Sequence, residues 1–191
     1  MTRPILAWHW TAGRRLRDGR PVRVGRWVRH EGPLVVCHSG LHASRRALDA
    51  LKFAPGFWVW RVECEAIVEE EDDKLVCRAR RPLWGVNARA LLRVFARRCA
   101  LDVAHLWPAP PAVLRYLRHG RKEDEAASWD AAGTAGAASA PWAAAWAAAG
   151  SFARAAEAAR IAAGATGDAA RDAQERRLVR MIHAERRKGG K

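Results

Sequence analysis

The residues with the most chemical potential stand together in Cys37-His38-Ser39-Gly40-Leu41-His42-Ala43-Ser44. Leu34 to Cys37 is a short apolar run, Ser39-Gly40 a turn signal, and Ser44 a good helix N-cap. This spacing predicts a strand, a turn and then a helix through about Phe53. His42 then sits at a strand-to-helix turn, where backbone donors and a helix N-terminus receive anions. With His38, Ser39, Gly40 and Ser44 around it, His42 is a candidate general base or phosphate-positioning group. A local hydrogen bond that stabilises the turn explains the same histidine as well. His9, on the first predicted strand, is the other catalytic candidate.

Arginine is the second signal. Residues 1–30 hold eight arginines and one aspartate, and residues 74–98 hold eight basic residues and no acid. Arg14, Arg15, Arg17, Arg20, Arg23 and Arg26 crowd a stretch near Trp8, Trp10 and Trp27, and Arg78, Arg80 and Arg81 follow on a later strand. Basic groups beside aromatics suit phosphate contacts and base stacking. The 191-residue chain carries 34 basic and 20 acidic residues, a net charge of +14. Nucleic acid or another polyanion is therefore the expected partner class. A genome that prefers arginine codons, with solvated basic faces, accounts for part of the same count.

Other chemistries find less support. Cys37 and His42, with Cys64 and Cys77, are the zinc set one would draw, but structural zinc ligands come in close pairs and only one pair exists here. Cys64 falls on the apolar face of an alternating segment, where a thiol is a small hydrophobe. No metal is expected, and the thiols read as reduced. P-loop, GxGxxG, HExxH and GxSxG patterns are missing, so no cofactor is expected from the residues themselves. No uncharged apolar run nears the ~18 residues of a membrane span. The first residues lack a signal-peptide pattern, so a cytoplasmic, non-membrane protein is the expectation.

The elements that must position these residues follow from periodicity. Ile5 to Trp10 and Pro21 to Val28 read as strands. In Phe57 to Val68, Trp58, Trp60, Val62, Cys64, Ala66 and Val68 share one face. The acidic run Glu69–Asp73 is a turn into a strand from Lys74 to Arg81. Asn87 caps a helix bearing Leu91, Leu92, Phe95 and Cys99, and Pro110-Pro111 opens another.

Composition changes near residue 120. Residues 1–120 carry 22 basic and 11 acidic residues, whereas alanine fills 24 of the 45 positions from Ala126 to Ala170. Alanine favours helix but buries little area. Helices are expected over Ala143–Ala149 and Ala153–Ala163 and from Asp168 onward, with Trp129, Trp142, Trp146 and Phe152 as anchors. The expected fold is α+β: a small, mostly antiparallel sheet with packed helices over 1–120, then an Ala-rich helical C-terminal appendage over 121–191. Self-association through those C-terminal helices is a further arrangement this composition allows.

The Cys-x-Ser-Gly-Leu-His-Ala core at 37–43, Ala47-Leu48, the strand Phe57-Trp58-Val59-Trp60-Arg61-Val62-Glu63 and Asp73-Lys74-Leu75-Val76 carry a resemblance. They resemble an uncharacterised domain family of phage and actinobacterial proteins, which often have an Ala/Trp-rich tail like the one ending Arg171-Asp172-Ala173-Gln174 and Leu178, Met181-Ile182. In order of elements, His9, the Gly-Leu-His-Ala-Ser segment and a carboxylate-bearing strand also resemble ADP-ribosyltransferase-type folds. That likeness implies NAD as cofactor and a His, Tyr and Glu site. The one tyrosine, Tyr116, lies on a late helix, and a related RNA 2′-phosphotransferase-like arrangement uses Arg and His instead.

Three readings follow. The first is a phage- or bacteria-derived accessory protein that binds nucleic acid or another polyanion through arginine-rich surfaces. The second is a transferase-like enzyme working through His42, His9 and a basic pocket. The third is an assembly protein. The first needs arginines on an open face; the second needs a concave pocket that His9 and His42 share.

Overall fold

The computed structural model describes residues 3–35, 38–134, 161–162, 164 and 167–189. The fold is α+β, built on a five-stranded antiparallel sheet. Packing divides the chain into residues 1–88 with 182–191, and residues 89–181. This division falls ahead of the composition change at residue 120.

In the sheet unit, β1 (Ile5–Thr11) pairs with β4 (Trp58–Glu70), and β4 forms a long hairpin with β5 (Leu75–Asn87). The other side of β5 carries β3 (Leu41–Ala43) and β2 (Val28–Arg29). Trp8 and Ser44 exchange both backbone bonds, at 2.7 and 3.0 Å. Pairings therefore close a ring: β1, β4, β5, β3 and back to β1. Inside it pack Ala7, Leu41, Trp60, Val62, Cys64 and Cys77. The Trp60 indole N–H donates to Thr11 Oγ1 at 2.8 Å, satisfying a buried donor.

Several local expectations change here. Pro21 to Val28 is not a strand; Val28–Arg29 alone enters the sheet, and Pro21 bridges Arg15. Of Leu34–Cys37, Val35 makes an isolated bridge to Ser39, while Val36 and Cys37 lie outside the described residues. Ser44 does not cap a helix, because its backbone is taken by Trp8; α1 (Ala47–Lys52) starts later and its first-turn amides have no side-chain cap. On β4 the alternation slips between Ile67 and Glu69, where two steps face one on β5, and Ala66 takes φ +52°. Ile67 thereby packs on the core, and Val68 is 60% exposed, reversing the expected faces. β5 runs past Pro82 because a second register shift there spares the missing N–H a ladder bond.

The helical unit is more regular. α2 (Arg89–Asp102) buries Leu91, Leu92, Phe95, Ala96, Cys99 and Ala100 at helical spacing. α3 (Pro111–His119) begins on Pro111 and ends at Gly120, φ +65°, whose N–H closes onto Tyr116 O at 2.7 Å. It packs against α2 and α4 (Lys122–Thr134). In α5 (Asp168–Gly189) Leu178 is fully buried and Arg177 forks onto Asp102 at 2.6 and 3.1 Å. The expected anchors Trp142, Trp146 and Phe152, the helices over 143–149 and 153–163 (apart from Ile161-Ala162) and the Trp129 side chain lie outside the described residues.

Candidate functional site

His9 of β1, His42 of β3 and Arg80 of β5 meet at one point of the sheet unit. Arg80 is 4% exposed, and its Nη1 donates to the backbone carbonyl of His42. The His9 ring hydrogen-bonds to the same backbone, which favours its protonated form; burial, the Arg80 charge and His42 outweigh that and hold it well below the usual histidine range. Burial, then Arg80, also lowers His42, against a bond to the Gly40 backbone. Arg80 is itself lowered by burial, but a guanidinium keeps its proton. Among the described residues no carboxylate lies within ion-pair distance of it; the acid whose charge reaches it is Asp18. The group is thus a buried cation beside two histidines held neutral.

The turn expected around His42 differs. His42 lies inside β3, opposite Val76, rather than at a helix N-terminus. Gly40 has φ +115°, and a Cβ there would meet Val76 and Leu34 at 2.5 and 2.7 Å, so glycine is required to enter β3. Ser39 Oγ donates to Pro33 O at 2.6 Å and contacts the His30 ring at 3.0 Å. Ser44 is buried and His38 exposed. Ser39 thus holds the loop that leads into β3.

The arginines separate into two groups. Arg80 is interior, which removes it from any surface. Arg81 is half-buried, donating to Glu63 at 2.8 Å and lying 4.8 Å from the Trp27 ring centroid. Arg78 is exposed but donates to His30 O and Gly32 O at 3.0 and 3.2 Å. By contrast, Arg14, Arg15, Arg17, Arg20, Arg23 and Arg26 are all exposed, on the connection between β1 and β2.

The first part of that connection, Arg14 to Val22, is a tight hairpin. Val22 N–H donates to Arg14 O at 2.9 Å and Leu16 N–H to Arg20 O at 2.8 Å, around a turn completed by Gly19 at φ +84°. Leu16 and Val22 pack on the core and root it. Asp18, its single acid, is forked onto Arg20 and held below the usual carboxylate range by it. Among the described residues, Arg17, Arg23 and Arg26 make no side-chain hydrogen bond or ion pair. A hollow of about 600 Å³ opens on the hairpin, lined by Ala12, Gly13, Arg14, Arg15, Leu16 and Pro21.

Sequence reasoning missed a third cluster. Trp8, Arg61 and Trp84 are cross-strand neighbours on β1, β4 and β5. His183 lies 6.1 Å from Trp8 and 5.2 Å from Trp84, and Arg186 lies 4.4 Å from the Trp84 ring. Burial, then Arg186, lowers the His183 pKa. The signal available was Trp84 itself, which lies beyond Pro82 and so past the end of the predicted strand.

Residues 15–94 match a family described as Domain of unknown function (DUF7666). No curated protein and no solved structure matches the chain. The matched stretch fits the resemblance to an uncharacterised domain family. It holds His42, Arg80 and most of the arginine hairpin, and begins after His9 and Arg14.

Proposed function

We propose that this chain binds nucleic acid or another polyanion through the segment from Arg14 to Arg26. One observation carries the reading: six arginines on a core-rooted hairpin and the segment that follows it are exposed, and the one acid among them is neutralised by Arg20. Cations presented this way on a fixed surface displace counterions from a phosphate backbone. An accessory role in a phage or bacterium rests on the resemblance of the 37–43 core. The test is fluorescence anisotropy with duplex DNA and with heparin at stepped salt. Log affinity should fall against log salt with a slope of about −0.9 per phosphate contact on duplex. Flat affinity, or no binding at low salt, overturns the reading.

A transferase-like reading, with NAD as its cofactor, has its own support in the meeting of His9, His42 and Arg80. Neutral imidazoles suit proton transfer, with the interior Arg80 holding the His42 backbone rather than a phosphate. Calorimetry with NAD decides it. Binding that His9→Ala and His42→Ala abolish, with unchanged melting, supports the enzyme, and no heat at millimolar NAD rejects it.

A further inference from the structure

We infer that the hollow in the arginine hairpin seats one nucleotide of a single strand, its base on the apolar lining and its phosphate on Arg14 and Arg15. This rests on the polyanion reading above and adds a substrate class to it. At about 600 Å³ the hollow has the room of a small-ligand site, roughly 300–1,000 Å³, and stands open to solvent. Ala12, Leu16 and Pro21 give it an apolar lining, Gly13 has open space around it, and Arg14 and Arg15 complete the lining with two cations. No carboxylate lines it. A sulfated sugar or a bare phosphate would use the cations and leave the apolar lining wet; a nucleotide uses both.

The walls are preorganised. Backbone bonds from Val22 to Arg14 and from Leu16 to Arg20 frame the hairpin, and Leu16 and Val22 root it in the core. Arg14 is held 5.3 Å from the Trp58 ring centroid, and Arg15 Nη1 donates to Gly19 O at 2.9 Å. Side chains already placed lose less freedom when an anion arrives. Strand type follows from the concavity. Bases in a duplex are stacked and present edges, whereas a single strand can turn one base face into a hollow.

The experiment uses the full chain with a labelled single-stranded oligonucleotide, the matched duplex and heparin at one low salt concentration. The single strand should bind about fivefold tighter than the duplex, the scale of covering part of one base face with aliphatic carbon. Gly13→Leu adds bulk to the lining of the hollow without removing charge, and a Cβ at Gly13 meets nothing within 4 Å. This variant should bring single-strand affinity down to the duplex level and leave heparin binding unchanged. On the wild-type chain, adenosine monophosphate should compete with the single strand and ribose 5-phosphate should not. That pair decides alone if Gly13→Leu melts early. Equal affinity for both strand types, a well-folded Gly13→Leu that still prefers single strands, or equal competition by ribose 5-phosphate overturns the seat while polyanion binding stands. Failure to bind heparin or either nucleic acid overturns both.

Discussion

Arg80 reaches from β5 to the backbone carbonyl of His42 on β3, and that bond is made inside the ring of strands. It reinforces the β3–β5 pairing, next to the Trp8–Ser44 bonds that join β3 to β1. A buried cation without an ion-pair partner among the described residues is costly to keep. The His42 carbonyl offsets part of that cost, and the uncharged state of His9 avoids adding a second charge.

Replacing Arg80 tests its separation from the surface. Arg80→Met should fold, because an apolar chain of similar length relieves the buried charge. Its polyanion affinity and salt slope should match wild type, whereas Arg17→Ala with Arg23→Ala should flatten the slope by up to about 0.9 for each phosphate no longer neutralised. Proton NMR should show the His9 pKa rising, since a lowering charge has gone. Loss of polyanion binding in Arg80→Met equal to that of the double variant would place the binding surface elsewhere.

Stability should decline on the acid side of neutrality. In the unfolded chain His9 titrates near its ordinary value of about 6.5, and in the fold it titrates lower. As pH falls the unfolded state binds the proton first, so the stabilisation is complete above about pH 6.5 and shrinks below it. The limit for one group is about 1.4 kcal/mol per pH unit, and His42 and His183 act in the same direction. Melting between pH 7 and 5 should fall more steeply for the wild type than for His9→Gln. Equal slopes would mean that His9 is not held neutral.

Gly85 should not tolerate a methyl group. Its Cβ would lie 2.3 Å from a Trp60 ring carbon, and that ring is held by Thr11 and stacked on Trp58 at 5.6 Å. Gly85→Ala should cost about 1–3 kcal/mol from overpacking. A melting temperature within a degree of wild type would show that the Trp60 ring can shift.

Ala66→Gly should do the opposite. Ala66 holds φ +52° in mid-strand, a conformation that costs a residue with a Cβ about 1–2 kcal/mol. Glycine removes that cost and returns part of it as chain entropy. The variant should gain up to about 1 kcal/mol in denaturant melts, and a loss would refute the strained geometry.

The elements most legible in the sequence were those with a long local signal. β1 and β4 alternate over enough residues to declare a strand, and α3 announces itself through Pro111. β3 has three residues, too few for alternation to show, so His42 read as part of a turn. Ser44 carries a good capping side chain, yet its backbone was claimed by a strand remote in sequence. Of the candidate site, the arginine cluster was visible as charge, but its hairpin was not, since Pro21 to Val28 read as a strand. Nor was the burial of Arg80, since Arg78, Arg80 and Arg81 are alike as letters.

By itself, then, the sequence determined the α+β class, the basic character, the β4–β5 hairpin and the helices with strong periodicity, because each depends on neighbours within a few residues. Only the tertiary structure decided which arginines face solvent, where the faces of β4 reverse, and that His9 and Arg80 share the backbone of His42. Those outcomes depend on register and ring closure between distant strands. A one-residue slip turns every later side chain to the opposite face, and no local pattern records it.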